Sequence, residues 1–176
     1  MHSDISPNIP TVYQFAWVSL IPQFAVIGIF SIIAHYLGLN TYLTFSGELE
    51  FVANIMWGAI GFTILSITIR AFLVKFHRKG FSLLKRGEYL SAIPFFMRSY
   101  KLFSKYKWLD KYRYFLISSS KMAYREMDLN NIAFCYGQVG DKEMAIKYYE
   151  LLLDEFPTNG LAAVALKFAA TIEDKN

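Results

Sequence analysis

The 176-residue sequence has a single cysteine, Cys135, and no lysine or arginine in its first 69 residues. One cysteine excludes an internal disulfide and a cysteine-based metal site. The three histidines, His2, His35 and His77, lack the spacing of metal ligands, and neither a G-x-S-x-G nucleophile motif nor a G-x-x-x-x-G-K phosphate loop is present. These absences predict a chain that is not an enzyme and that holds no cofactor or metal.

Charge is strongly segregated along the chain. Residues 1–69 carry three acids and no base, residues 70–125 carry 14 basic against two acidic residues, and residues 126–176 carry four lysines against nine acids. Both nucleic acid and an anionic membrane surface attract such a basic segment. Because no nucleic-acid recognition motif accompanies it, we expect membrane lipids with anionic headgroups as the partner, and no nucleic acid.

Two long apolar runs, residues 12–37 and 51–74, contain one charged residue between them, Arg70. Each exceeds the roughly 20 residues with which a helix crosses the hydrocarbon core of a bilayer. A cleaved signal peptide is the alternative for the first run, but no basic segment precedes it and no cleavage site follows it. The runs therefore predict two transmembrane helices.

The flanks of these runs predict their orientation. Basic residues follow the second run, whereas the link at residues 38–50 carries two acids and no base. Positively charged flanks stay in the cytoplasm, so we expect both termini on the cytoplasmic side of a plasma or inner membrane. Small and amide residues within the spans are predicted at helix–helix contacts rather than along a polar path. These residues are Gln23, Gly28, Asn54, Gly58 and Gly61.

From residue 75 onward, apolar residues recur at helical spacing between charged ones. In the stretch 126–159, small and aromatic residues stand where two antiparallel helices pack most closely, around a glycine turn and before a terminal proline. They are Ala133, Tyr136, Gly140, Ala145, Tyr149 and Pro157. This stretch resembles a tetratricopeptide repeat, a 34-residue helix–turn–helix unit. A weaker copy spans residues 76–104, where Pro94 is expected to kink the second helix or move its start.

The two copies are irregularly spaced, since their turn glycines, Gly87 and Gly140, are 53 residues apart rather than 34. The extra chain predicts a short helix at 109–117, an N-cap within 118–120 and one long helix at about 120–139. Aromatic residues alternate with lysines over 100–114; they could stack on bases, but the core of the repeats or the membrane surface is the better expectation. Residues 160–172 are predicted as a cap helix with a solvated outer face.

The resemblance extends, by architecture, to bacterial membrane-anchored repeat proteins. It implies an all-α fold in which a transmembrane hairpin (1–74) precedes a short, irregular cytoplasmic array of repeats (75–176). In this family the first helix of each repeat lines a concave surface that binds a protein or peptide. The corresponding residues, called the groove residues below, are Arg78, Phe81, Lys85, Met127, Asn130, Asn131, Phe134 and Gln138, with His77 beside them.

The sequence thus predicts a membrane-anchored scaffold or adaptor. The alternative is a structural or accessory subunit of a larger transport or secretion complex, bound through the membrane helices. Oligomerisation is also possible for either, because each unit of a small repeat array depends on its neighbours for stability.

Overall fold

The structure, a computed structural model, describes residues 20–39, 50–113 and 120–173. The eight elements defined within these ranges are all helices, in agreement with the all-α prediction. They are α1 (Leu20–Tyr36), α2 (Glu50–Leu73), α3 (Lys75–Lys85), α4 (Tyr89–Lys105), α5 (Lys107–Lys111), α6 (Tyr124–Gln138), α7 (Lys142–Glu155) and α8 (Gly160–Glu173).

Helices α1 and α2 pack against each other as an apolar pair. Among the described residues, one helix, Phe51–Leu73, is long and apolar enough to cross a membrane, and only 17% of its apolar window is buried. The predicted second span, 51–74, agrees with it. Helix α1 has 17 residues and is too short to pass the same test. Residues 12–19 of the predicted first span lie outside the described residues, so the structure supports one span and not the hairpin of two.

The α1–α2 contact is closest at two glycines of α2. A Cβ atom at Gly58 would lie 2.1 Å from the Ser31 hydroxyl oxygen and 2.7 Å from the Ile27 carbonyl oxygen. At Gly61 it would lie 2.7 Å from the Phe30 ring. The absence of a side chain is therefore what lets the two backbones approach.

The remaining predicted helix-contact residues behave differently from one another. The Asn54 side-chain amide lies 3.4 Å from the His35 ring nitrogen across the α1–α2 contact, and Gln23 is half-buried. Gly28, by contrast, is exposed, and a Cβ there would meet nothing within 4 Å. Gly28 therefore lies away from the contact between α1 and α2. The sequence does not reveal which face of α1 turns towards α2.

Helix α2 leads almost directly into α3. Val74 alone separates them and forms a bend, at which its N–H donates to the Arg70 carbonyl oxygen and its own carbonyl oxygen accepts the Arg78 N–H, both at 3.0 Å. The Val74 side chain is buried. The apolar helix and the helical array are thus joined without a flexible linker.

Two helical hairpins, α3–α4 and α6–α7, occupy the stretches in which the two repeat copies are predicted. Each turn contains a glycine at positive φ, Gly87 at +76° and Gly140 at +83°, a conformation that other residues adopt only with strain. The Asp141 carboxylate then accepts the Met144 N–H at 3.1 Å and caps α7.

The hairpins stack through α4, which packs on both α3 and α6. Phe96 of α4 and Ile132 of α6 are fully buried in a cluster that also contains Leu84 and Cys135. The α3 backbone approaches closely at Gly80, where a Cβ would lie 3.0 Å from the Phe96 ring. One core therefore serves both hairpins.

The starts of α4 and α6 settle two details of the prediction. Helix α4 runs unbroken from Tyr89 past Pro94, whose ring is exposed, so the proline does not move the helix start. Helix α6 begins at Tyr124 rather than near residue 120. Its cap comes from Asp110, far along the chain, and the Ser120 hydroxyl accepts the Met122 N–H instead.

Helix α8 packs on α7 through Ala162, and its first turn is capped by the Asn159 side-chain oxygen, which accepts the Ala162 N–H at 2.9 Å. Its outer face is less polar than a cap helix requires. Val164 and Phe168 are 56% and 68% exposed.

Candidate functional site

The predicted groove lies on α3 and α6. These helices both pack on α4 and touch each other only slightly. Phe81 and Phe134 are half-buried and pack around the same core cluster. The Lys85 ammonium lies 4.8 Å from the Phe81 ring centroid, and Tyr89 meets Phe134 edge-on at 6.1 Å.

The other groove residues differ in their exposure and packing. Arg78, Lys85 and Gln138 are exposed, and Asn130 and Asn131 are half-buried. Met127 packs on a different cluster, beneath the end of α2. The structure therefore leaves cationic and amide side chains accessible on α3 and α6, whereas Met127 packs on the cluster that Ile69 and Leu73 of α2 also contact.

His77 does not line the groove. Its ring points inward, with the side chain 15% exposed, and its Nδ1 lies 2.6 Å from an oxygen of the fully buried Asp128 carboxylate. Phe81, Phe96 and Tyr124 surround the imidazole, with ring centroids 5.3–6.5 Å away. This pair links α3 to α6.

The Asp128 carboxyl is in an unusual environment. Burial raises its pKa above the ordinary value, while the hydrogen bond and charge of His77 and the neighbouring Ser99 hydroxyl oppose the rise. A buried carboxylate costs several kcal/mol unless it is paired, so His77 is needed to hold Asp128 in the core. A His–Asp pair could also move a proton, but no nucleophile or open cavity adjoins it in the described residues, and we assign it a structural role.

A second buried acid organises the chain between α4 and α6. The Asp110 carboxylate accepts the N–H groups of Tyr124 and Arg125 at 2.7 and 3.2 Å. Arg113 closes the same segment by donating to the carbonyl oxygens of Asp110, Ser120 and Lys121. Sequence reasoning missed Asp110 because its partners are 14 and 15 residues away.

A third polar cluster joins α4, α6 and α7. The Glu155 carboxylate accepts from both the Tyr100 hydroxyl and the Arg125 guanidinium, and Arg125 also lies 5.3 Å from the Phe156 ring centroid. Burial raises the pKa of the Tyr100 hydroxyl, and the carboxylate of Glu155 adds to that rise. The phenol therefore stays protonated and acts as a donor.

A cleft of about 460 Å³ opens where the α7–α8 turn meets the start of α6. Two of its polar wall residues already bond each other: the Asn159 amide donates to the Glu126 carboxylate at 2.9 Å. Asn159 also caps α8. These contacts give the cleft a structural explanation, and no set of catalytic groups converges on it.

The last turns of α2 enter the core of the array. Ile69 and Leu73 pack on a buried cluster formed by Val74, Phe103, Leu109 and Tyr124. In that cluster the rings of Phe103 and Tyr124 stack at 4.8 Å. The apolar helix is therefore part of the folded unit rather than a separate tether.

The described residues contain no candidate metal site and no reactive thiol. No group of three His, Cys, Asp or Glu side chains there could hold a metal ion. Cys135 is fully buried, and burial raises the pKa of its thiol to about 12, which leaves it almost entirely protonated.

Comparison of the chain with protein-family models, curated proteins and solved structures gives no match. The resemblance to tetratricopeptide repeats therefore depends on the spacing of the named residues and on the two helical hairpins.

Proposed function

We propose that this protein is a membrane-anchored adaptor. The two apolar runs hold it in the membrane with both termini in the cytoplasm, and the tetratricopeptide-like array recruits a protein or peptide through the groove residues. The anchor confines the array to the bilayer surface and so raises its effective concentration for other membrane proteins.

The observation that carries this proposal is the packing of α2 into the array. Ile69 and Leu73 share a cluster with Phe103 and Leu109, and only the buried Val74 separates α2 from α3. Helix α2, whose apolar side chains are largely exposed, is thereby fixed to the helical array, whose apolar side chains are largely buried. This arrangement suits a recognition module held at a set height above a membrane.

The groove supports recognition of an acidic or amide-rich segment. Arg78 and Lys85 are exposed on α3, with the Lys85 ammonium at the half-buried ring of Phe81, and Asn130 and Asn131 are half-buried on α6. Aromatic and arginine side chains of this kind are frequent anchors in protein interfaces.

The test uses the full chain, extracted from its native membrane in mild detergent. Arg78→Glu combined with Lys85→Glu reverses two exposed charges on α3, and Lys142→Glu with Lys147→Glu makes the matched change on α7. We expect the α3 variant to lose a bound protein that the wild type and the α7 variant keep. If both variants keep the same proteins, the groove is not the binding surface.

The alternative, a subunit bound through its membrane helices, is favoured by Gly28. It lies on an exposed face of α1 beside Phe24 and Ile29, which are 66% and 57% exposed, so this small residue is open to another helix. Gly58 and Gly61 are already used within the chain. Loss of the bound protein in Gly28→Leu, with its retention in the α3 variant, would identify this second function.

A further inference from the structure

Helix α5 and its flanks expose an aromatic and basic surface. The α5 surface consists of Lys105, Tyr106, Lys107, Trp108, Lys111 and Tyr112. Its three rings are 40%, 59% and 51% exposed. The ammonium groups of Lys105 and Lys111 lie 5.3 and 5.6 Å from the ring centroids of Tyr106 and Tyr112. Large exposed rings are costly in water, so this surface needs an explanation.

The α5 surface presents no exposed carboxylate. The single acid between residues 105 and 112 is Asp110, which is 6% exposed and accepts the N–H groups of Tyr124 and Arg125. By turning inward to cap α6, Asp110 leaves Lys105, Lys107 and Lys111 as the exposed charges. The surface is therefore complementary to a negatively charged partner.

The inner side of α5 fixes its position relative to α2. Leu109 is buried in the cluster on which Ile69 and Leu73 of α2 pack. The α5 surface is therefore beside the last turn of the helix that is long and apolar enough to span a membrane. Phe72 in that turn is 69% exposed, and the Lys75 ammonium lies 4.9 Å from its ring centroid, which repeats the aromatic–lysine pairing.

We infer that the α5 surface is a second membrane attachment, which lies in the headgroup region of the cytoplasmic leaflet and binds anionic phospholipids. Tryptophan and tyrosine rings favour that region because they join an apolar body to a polar edge. Each lysine held near an anionic leaflet favours the docked state about fivefold. The inference rests on the proposed function in one respect, the placement of α2 in the bilayer.

Attachment through both the membrane anchor and the α5 surface would fix the orientation of the array. A repeat array held only by the membrane anchor can tilt relative to the bilayer, whereas docking of α5 at a second point restricts the tilt. The groove on α3 and α6 then keeps one orientation towards membrane partners.

Single-stranded nucleic acid is the other partner that aromatic rings and lysines could bind. Lipid is favoured by position, because α2 brings the α5 surface to the level of the headgroups before any soluble partner arrives. The test below includes RNA for this reason.

The test reads Trp108 in the full chain, reconstituted into vesicles of phosphatidylcholine alone or mixed with phosphatidylglycerol. The sequence has three tryptophans, so Trp17→Phe with Trp57→Phe leaves Trp108 as the only reporter. A companion protein that keeps Trp57 alone reports on α2. We expect Trp108 to be quenched by lipids labelled near the headgroup and protected from aqueous iodide, with stronger protection in the anionic vesicles.

Replacement of the three lysines tests the electrostatic part. Lys105→Gln, Lys107→Gln and Lys111→Gln together are expected to lower the docked-to-undocked ratio in anionic vesicles by roughly a hundredfold, about fivefold for each lysine. The matched control replaces three exposed lysines of α7 and α8, Lys142, Lys147 and Lys167, by glutamine. It is expected to leave the ratio unchanged.

Two results would overturn the inference. One is a Trp108 that stays open to iodide while Trp57 is protected by lipid, since the α2 anchor would then stand without a second attachment. The other is a Trp108 signal that responds to single-stranded RNA and not to anionic lipid. If Trp57 itself were open to iodide, the α2 anchor of the proposed function would fail, and the attachment with it.

Discussion

Helices α2 and α4 contain similar apolar residues but expose them in opposite ways. Ile60, Ile64 and Ile67 of α2 are 43–62% exposed, whereas Phe96 and Phe103 of α4 are fully buried. Lipid tails are as apolar as isoleucine, so a membrane helix gains little by hiding its side chains and packs through small residues instead. A helix in water is stabilised by burying them. The exposed isoleucines of α2 are what the proposed membrane anchor requires, whereas the buried rings of α4 form a core.

Polar groups show the same contrast. In α2 the hydroxyls of Thr63 and Thr68 donate to the carbonyl oxygen four residues earlier, at 2.8 Å, and so remain satisfied within their own helix. In the array, Asp128 bonds to His77 on another helix and Asp110 to a distant backbone. Local satisfaction suits a helix without water, whereas long-range bonds specify how the helices of the array pack.

The largest expected effect is on the rate at which Cys135 is labelled. This residue lies in the array, so its labelling distinguishes the array from the α1–α2 pair. Burial raises the pKa of this thiol from an ordinary value of 9.0 to about 12, so its thiolate fraction near neutral pH is about a thousandfold lower than that of an exposed cysteine. We expect iodoacetamide to label the folded protein at least that much more slowly than the unfolded chain. Labelling in detergent then reports unfolding of the array alone, and rapid labelling of the native protein would contradict the burial.

Truncation of one apolar side chain in each region tests the comparison directly. Phe96→Ala is expected to lower the free energy of unfolding of the array by about 3–5 kcal/mol, because it empties the shared core of both hairpins. Ile64→Ala, at a position 62% exposed, is expected to change it by less than about 0.5 kcal/mol. Chemical denaturation in mild detergent, followed by far-UV circular dichroism, measures both. Equal losses would show that α2 is packed as a soluble core helix.

Substitution of glycines in α1 and α2 tests whether this pair packs through small residues. Gly58→Leu forces a side chain against the Ser31 hydroxyl and the Ile27 backbone, and we expect a loss of about 1–3 kcal/mol in the stability of the pair. Gly28→Leu, which meets open space, is the matched control and is expected to be neutral. Titration with SDS, followed by the emission of Trp57 in a protein without the other tryptophans, measures the difference. A neutral Gly58→Leu would contradict the close approach.

Much of the fold could be predicted where the signal is local. The α2 bounds follow from an uninterrupted apolar run, and both hairpin turns follow from Gly87 and Gly140, each beside an acidic residue and between helical periodicities. The role of Asp141 as the cap of α7 is of the same kind, since its partner is three residues away. Signals of this type depend on backbone conformation within one turn.

What could not be predicted depends on contacts between distant residues. His77 and Asp128 are 51 residues apart, so nothing near His77 shows that it faces inward rather than the groove. The serines at 118–120 suggest a helix start, but Asp110 supplies stronger acceptors and moves the start to Tyr124. Likewise, composition alone left the rings of 100–114 open to several uses, and packing decides that Phe103 is buried while Trp108 is exposed.

The smallest expected effect is a dependence of stability on pH. It arises in the array, because Asp128 lies there and not in the α1–α2 pair. Because burial raises the pKa of Asp128, the folded protein holds a proton that the unfolded chain has already released. Stability is therefore fully present below the ordinary carboxyl pKa and declines as the pH rises through the raised pKa, at about 1.4 kcal/mol per pH unit between the two values. Asp128→Asn should remove this decline in thermal unfolding, while the exposed control Asp154→Asn keeps it. A decline that persists in Asp128→Asn, parallel to the curves of the wild type and of Asp154→Asn, would show that Asp128 is not its source.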